Sequence, residues 1–472
     1  MISPIISNLG ILVFLPLIIA LVRTPFSRDN YARQGFVFAL SAILVCSLWR
    51  YIALYWAFGL SAVFALIYLI KERPTFRMNA LAAVSLAYVG WWFVSLLWSA
   101  AKGRGLGMSM EMLPLCVMCL YSCMIQLTDE EKQTIIRPFL QSAGIFVIVG
   151  LIAVVYNCIH FGILPWEWPF LQKSTINDLL VYRVVFCFLG GYTGYTHPSY
   201  NLLPLFLALC LMLPSLKEMG NHNANQTAAT AAIAYAPSHG AKRKTMAIMF
   251  GLLHAGTLLL ALFSQSRIGL IFSLVIIPCA ILFYTWHKPA ARWVVISVVA
   301  LSCIAAGILL QPQIQSFKSD SVRKLMHELC WQYVQKKPWL GSGVGALNPV
   351  EMSQTIGISY WPNIGTIPED ATVENWPYRT KMLPHNQFIA DWAQTGIIGF
   401  VLSIMLYLTM AGYMLPKKAQ WVTSEGASSQ RIALTIFFFL FVVLSFLEYP
   451  LFIPKGLYLF GILGILQSRQ EV

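Results

Sequence analysis

The chain has 472 residues, 58% of them hydrophobic and only 11% charged, with a mean hydropathy of +0.68. This excludes a soluble globular enzyme, which needs far more polar surface at such a length. The lack of alternating ~10-residue segments excludes a membrane β-barrel. The net charge of +13 does not point to nucleic acid, because no basic helix or aromatic stacking platform accompanies it.

A membrane-crossing helix needs ~20 mostly apolar residues. The candidates in chain order are 5–22, 35–49, 51–70, 79–100, 108–127, 138–158, 197–215, 245–263, 268–286, 293–310, 394–415, 432–447 and 455–467. The expected fold is an all-α polytopic membrane protein with about twelve or thirteen spans. Ile5–Val22 reads as a first membrane helix, since it lacks a basic leader and a small-residue cleavage site. Three blocks follow: helical membrane over 1–310 with a flexible linker near 216–244, a large polar loop over 311–393, and C-terminal membrane helices over 394–472. The linker, Asn221 to Gly240 at its centre, is rich in Ala, Asn, Thr and His and has no apolar periodicity.

Basic residues crowd four short loops: Lys71, Arg73 and Arg77; Lys217, Lys242, Arg243 and Lys244; Lys288 and Arg292; Lys417, Lys418 and Arg431. If those loops are cytoplasmic, alternation places 159–196 and 311–393 on the outer side. Inside the large loop, Val322, Leu325, Leu329 and Tyr333 recur at helical spacing. Asp320 or Ser321 can cap that helix and Pro338 stops it. Gly341-Ser342-Gly343-Val344-Gly345 then reads as a tight turn, with no βα unit to make it a dinucleotide site. Trp331, Trp339, Trp361, Trp376 and Trp392 suit the membrane interface or the face of a sugar. Of the ten cysteines, Cys116, Cys119 and Cys123 share one helix and read as packing; Cys330 stands by itself within the loop, so no disulfide can form inside it.

Several outer residues carry possible chemistry. His385, in Pro384-His385-Asn386-Gln387-Phe388, can serve as a general base for a hydroxyl proton or as a structural histidine bonded to a carbonyl. Arg267, in Ser264-Gln265-Ser266-Arg267, either snorkels at a helix end or grips phosphate oxygens with a planar fork, with Ser266 adding a hydroxyl donor. Arg323 falls one turn into the loop helix, where an anion is welcome, and Lys324 adds charge beside it. Asn386 flanks the histidine as a possible substrate contact, and His197 opens another span on the same side as a substrate or helix-start residue. Asp391 is a lone acid beyond His385. No carboxylate pair or His/Glu set has metal-ligand spacing, so the expected chemistry needs neither metal nor cofactor.

The ordered set Ser264-Gln265-Ser266-Arg267, Ser321-Val322-Arg323, Pro338-Trp339-Leu340-Gly341-Ser342-Gly343, His385-Asn386-Gln387-Phe388 and Gly396-Ile397-Ile398-Gly399 resembles the O-antigen ligase and polymerase superfamily over roughly the C-terminal half. The resemblance implies a GT-C-type glycosyltransferase of the bacterial inner membrane, with its site facing the periplasm. It implies an undecaprenyl-diphosphate-linked glycan as donor and, for a ligase, lipid A–core as acceptor. His385 would help activate the acceptor hydroxyl, and Arg267 and Arg323 would hold the diphosphate leaving group. Ligase is the preferred reading. An O-antigen polymerase or a protein O-oligosaccharyltransferase would use the same donor. A polysaccharide transporter is disfavoured, because no internal repeat is evident and the candidate residues lie at the outer rim.

Overall fold

The computed structural model describes residues 9–24, 30–49, 51–162, 198–225, 239–264, 266–285, 297, 321–357, 360–361, 365–374, 384–415 and 427–467. The expected span at 293–310 and Trp376 lie outside them, apart from the backbone of residue 297. After a short 3-10 turn, the helices are α1 (Leu15–Arg23), α2 (Tyr31–Ser47), α3 (Tyr51–Glu72), α4 (Ala80–Ser95), α5 (Lys102–Met124), α6 (Asp129–Phe161) and α7 (Pro198–Asn225). They continue with α8 (His239–Phe263), α9 (Arg267–Thr285), α10 (Ser321–Lys336), α11 (Pro349–Ile356), α12 (Gln387–Met414), α13 (Ala427–Leu447) and α14 (Pro454–Gln467). Two two-residue strands, β1 (Tyr360–Trp361) and β2 (Gly365–Thr366), pair antiparallel.

Among the described residues, six helices are long and apolar enough to cross a bilayer: Tyr51–Glu72, Lys102–Met124, Asp129–His160, Thr245–Phe263, Gln387–Met414 and Gln430–Leu447. α3 shows why lipid must surround them. It exposes Ile52, Trp56, Val63, Leu66 and Ile70, an apolar surface that water would not tolerate. The protein is an all-α polytopic membrane protein. α7 continues to Asn225, into the stretch expected as linker, and α8 begins at His239; residues 226–238 lie outside the described set.

The chain forms two compact units that alternate along the sequence: Met1–Arg73, Leu127–Leu310 and Met414–Phe438, and Pro74–Gln126, Gln311–Tyr413 and Phe439–Val472. In the first, α2 packs on α3 and α6, and α7, α8 and α9 pack on one another. The start of α6 is fixed by a capping box between Thr128 and Glu131. The same Glu131 carboxylate receives Arg33 at 2.6 and 2.9 Å, a bidentate fork that ties α2 to α6.

In the second unit, α4 and α5 pack together, and α14 lies on α5. The loop helix α10 buries Met326, Leu329, Cys330, Tyr333 and Val334 against Leu347, Met352, Ala390 and Ala393. Leu325, expected on the buried stripe, is 37% exposed. The core-facing stripe is therefore turned by about one position, because the packing partners set the face and the residues at 326, 330 and 334 are as apolar as those expected.

The glycine turn anchors this loop. Gly341, Gly343 and Gly345 all have positive φ, which a glycine adopts without a Cβ penalty. The Ser342 and Gly343 N–H groups donate to the Ala393 and Gln394 carbonyls, each at 2.9 Å, and Ser99 Oγ donates to the Val344 carbonyl at 2.8 Å. Gly396, at φ 70°, breaks α12 into two helical halves; a Cβ there would overlap the Trp339 carbonyl. Before the break, Gln387, Phe388, Ala390, Asp391 and Ala393 are buried. After it, Ile398, Val401, Met405 and Leu408 are exposed along one stripe, the face expected to meet lipid.

Candidate active site

His385 stands just outside the N-terminus of α12. Asn386 caps that helix, its Oδ1 accepting from Ile389 N–H at 3.0 Å, while its Nδ2 donates to the Phe446 carbonyl at 3.2 Å. The second bond holds the start of α12 beside the end of α13. There His385 Nδ1 meets Glu448 Oε2 at 2.8 Å, and the imidazole leans on Tyr449 with ring centroids 5.7 Å apart. The Glu448 side chain is only 1% exposed, whereas His385 retains 24%. A carboxylate here accepts from Nδ1–H, and in that neutral tautomer Nε2 keeps a lone pair. A carboxylate-oriented imidazole of this kind can take a proton from a hydroxyl and is stabilised once charged.

Glu448 is the residue that sequence reasoning missed. It is the single acid between residues 427 and 467, at the end of an apolar helix. An ionisable group in that setting is a functional candidate in its own right, and that signal was present in the sequence. Asp391, in contrast, is buried and faces the protein interior, where it accepts from the Tyr88 hydroxyl at 2.7 Å.

Ser266 and Arg267 lie in the first unit. Ser266 is buried and caps α9, accepting from Gly269 N–H at 3.2 Å. Its hydroxyl is 3.3 Å from that of Ser199, in the first turn of α7. The N-termini of α7 and α9 thus meet at this serine pair, and half-buried Arg267 is the first residue of α9. Two helix N-termini and a guanidinium together make a positive field suited to an anion. Ser266 was expected as a ligand donor; in the structure its hydroxyl serves the helix cap and the contact to α7. His197, immediately before α7, lies outside the described residues. Arg323 and Lys324 occupy the first turn of α10, as expected from spacing, and their side chains lie outside the described set.

The aromatic residues of the loop divide by environment. Trp392 stacks on Phe400 at 4.6 Å and meets Trp331 edge-on at 5.9 Å, and its Nε1 donates to the Pro338 carbonyl at 2.9 Å. Trp339 is 73% exposed. Cys330 is buried in the α10 core, and burial pushes its thiol up to about 12, which removes it as a nucleophile. Burial beside Glu351 also raises the Tyr333 phenol well above its usual range; that hydroxyl donates to Glu351 at 2.8 Å. Among the described residues, no group of three or more His, Cys, Asp or Glu is arranged to hold a metal ion.

Residues 252–404 match the family model described as O-antigen ligase. Over this segment the chain is similar to the O-antigen ligase family. The match contains Ser266, Arg267, Arg323, Lys324, His385 and Asn386 and ends before Glu448. No curated protein matches the chain. The family segment supports an enzyme of the O-antigen ligase and polymerase type, with glycosyltransferase-like chemistry.

Proposed function

We propose that this protein is an O-antigen ligase: a GT-C-type enzyme that transfers a glycan from undecaprenyl diphosphate to a hydroxyl of lipid A–core, at the periplasmic face of the bacterial inner membrane. The observation that carries this reading is the 2.8 Å contact between His385 and the buried Glu448 carboxylate. It supplies an oriented base at the mouth of a membrane helix, and His385 lies inside the segment 252–404 that matches the O-antigen ligase family model. His385 Nε2 takes the acceptor hydroxyl proton as the oxygen attacks the anomeric carbon. The bond from that carbon to the diphosphate breaks, and the electron pair leaves with undecaprenyl diphosphate. Glu448 holds the imidazole and stabilises its charged form.

Arg267, with the converging ends of α7 and α9, and Arg323 with Lys324 serve the diphosphate in this reading. Negative charge grows on the leaving group, so fixed positive charge there favours the transition state. The reaction uses no metal, because guanidinium groups take that role.

The test is the lipopolysaccharide profile of a deletion strain, complemented with wild type or His385→Ala. Loss of polymer from lipid A–core, with full-length polymer accumulating on undecaprenyl diphosphate, supports ligase. Loss of chain length with single repeats still attached to the core would show a polymerase instead. Normal lipopolysaccharide together with loss of a glycan from a protein would show a protein O-oligosaccharyltransferase.

A further inference from the structure

The first turns of α12 bury two polar side chains that the His385–Glu448 pair does not itself use. Gln387 and Asp391 are both fully buried. Gln387 donates from Nε2 to Asp391 Oδ2 at 3.2 Å and accepts at Oε1 from Leu451 N–H at 3.0 Å. The other Asp391 oxygen accepts from Tyr88 on α4 at 2.7 Å. A backbone N–H only donates, so the Gln387 amide is turned with its oxygen toward Leu451 and its nitrogen toward Asp391, whose Oδ2 accepts. The reverse orientation would set oxygen against oxygen and N–H against N–H.

Leu451 belongs to the short 3-10 turn Pro450–Phe452 that follows Glu448. Within that turn Phe452 and Ile453 donate to the Tyr449 and Pro450 carbonyls, and the Leu451 N–H is satisfied by Gln387. Trp92, one helical turn beyond Tyr88, packs edge-on against Phe452 with centroids 5.0 Å apart. The turn carrying Glu448 is thus held at its near end by His385 and at its far end by Gln387 and Trp92.

We infer that Gln387 is a positioning residue for the His385–Glu448 pair, its amide fixed between the Leu451 N–H and Asp391, which Tyr88 in turn holds. His385 and Gln387 flank the cap residue of one helix, so that helix end grips the Glu448 turn at two points. A displacement of the turn moves the carboxylate relative to the imidazole, and small displacements of catalytic groups cost large factors in rate. This inference rests on the reading of His385 and Glu448 as an oriented base.

The test uses purified full-length protein, undecaprenyl-diphosphate-linked glycan and lipid A–core. Gln387→Met removes both hydrogen bonds at similar volume. Its kcat should fall about 10- to 100-fold, the range typical of outer supporting contacts, with the donor KM unchanged within about twofold. Placed in Glu448→Gln, the same substitution should add less than about threefold, because both act through one group. Independent, multiplying losses, or a raised KM with unchanged kcat, would overturn the positioning role. Tyr88→Phe removes one hydroxyl and is the milder variant should Gln387→Met fail to fold. It should show the same kcat loss at smaller size and the same coupling to Glu448→Gln, and additivity there overturns the inference equally. If Glu448→Gln by itself transfers at the wild-type rate, the reading of the pair fails and this inference with it. If Glu448→Gln is impaired but Gln387→Met is silent, the positioning role fails and the pair stands.

Discussion

Replacing Glu448 with glutamine isolates the charge of the pair from its geometry. Glutamine keeps the length and one acceptor oxygen for His385 Nδ1, so the imidazole remains held while the negative charge is lost. The pair is 2.8 Å apart, and the carboxylate is 1% exposed. Two full charges with centres roughly 4 Å apart interact by about 4 kcal/mol at an effective dielectric of ~20, an upper bound for the stabilisation of the protonated histidine. The difference between a charge-assisted and a neutral hydrogen bond, about 1 kcal/mol, sets the lower bound. At 1.36 kcal/mol per tenfold, the loss of kcat lies between about fivefold and 1000-fold, and a loss near 100-fold is expected. Glu448→Ala, which also frees the ring, should lose about tenfold more. The assay is single-turnover transfer of undecaprenyl-linked glycan to lipid A–core by purified protein, with monodispersity checked for each variant. Transfer by folded Glu448→Gln within about threefold of wild type would refute the argument that Glu448 stabilises a charged histidine.

Other outcomes follow from the same structure. Arg267→Lys and Arg323→Lys keep the charge but lose the planar fork; each should reduce kcat/KM for the donor by about tenfold or more, read from donor titration. Gly396→Ala places a Cβ at φ 70° against the Trp339 carbonyl. It should cost about 2–5 kcal/mol through backbone strain and overpacking, seen as a lowered Tm in detergent or loss of folded protein. EDTA should leave transfer unchanged, and inhibition reversed by added divalent metal would refute a reaction that relies on arginines.

The membrane helices were legible because lipid imposes a rule on sequence. Each span must satisfy its own backbone and present apolar side chains over a fixed thickness. Thus the apolar runs at 51–70 and 245–263 coincide with the candidate spans Tyr51–Glu72 and Thr245–Phe263 to within a few residues. The loop helix was equally legible as a helix, since Ser321 to Lys336 carries its own periodicity. Its buried face was not, because Leu325 and Met326 are similar in apolar character and only the packing against Leu347, Met352 and Ala393 chooses between them.

His385 could be singled out by itself, because an imidazole at the end of a polar loop is chemically conspicuous. Its partner could not be paired with it from sequence. Glu448 is 63 residues further on, beyond the whole of α12 and most of α13, and no local periodicity links the two. Asp391 read only as a lone acid beyond His385, yet the fold turns it inward onto Tyr88, 303 residues away. The glycine turn looked merely tight, yet its N–H groups are spent on α12 carbonyls at Ala393 and Gln394. The sequence by itself determined which segments lie in lipid and which residue types stand ready for chemistry, because hydropathy and chemical identity are local properties. Only the tertiary structure decided which carboxylate meets which donor, because the Gly396 break and the packed glycine turn bring distant helix ends together, and hydrogen bonds form over about 3 Å whatever the separation along the chain.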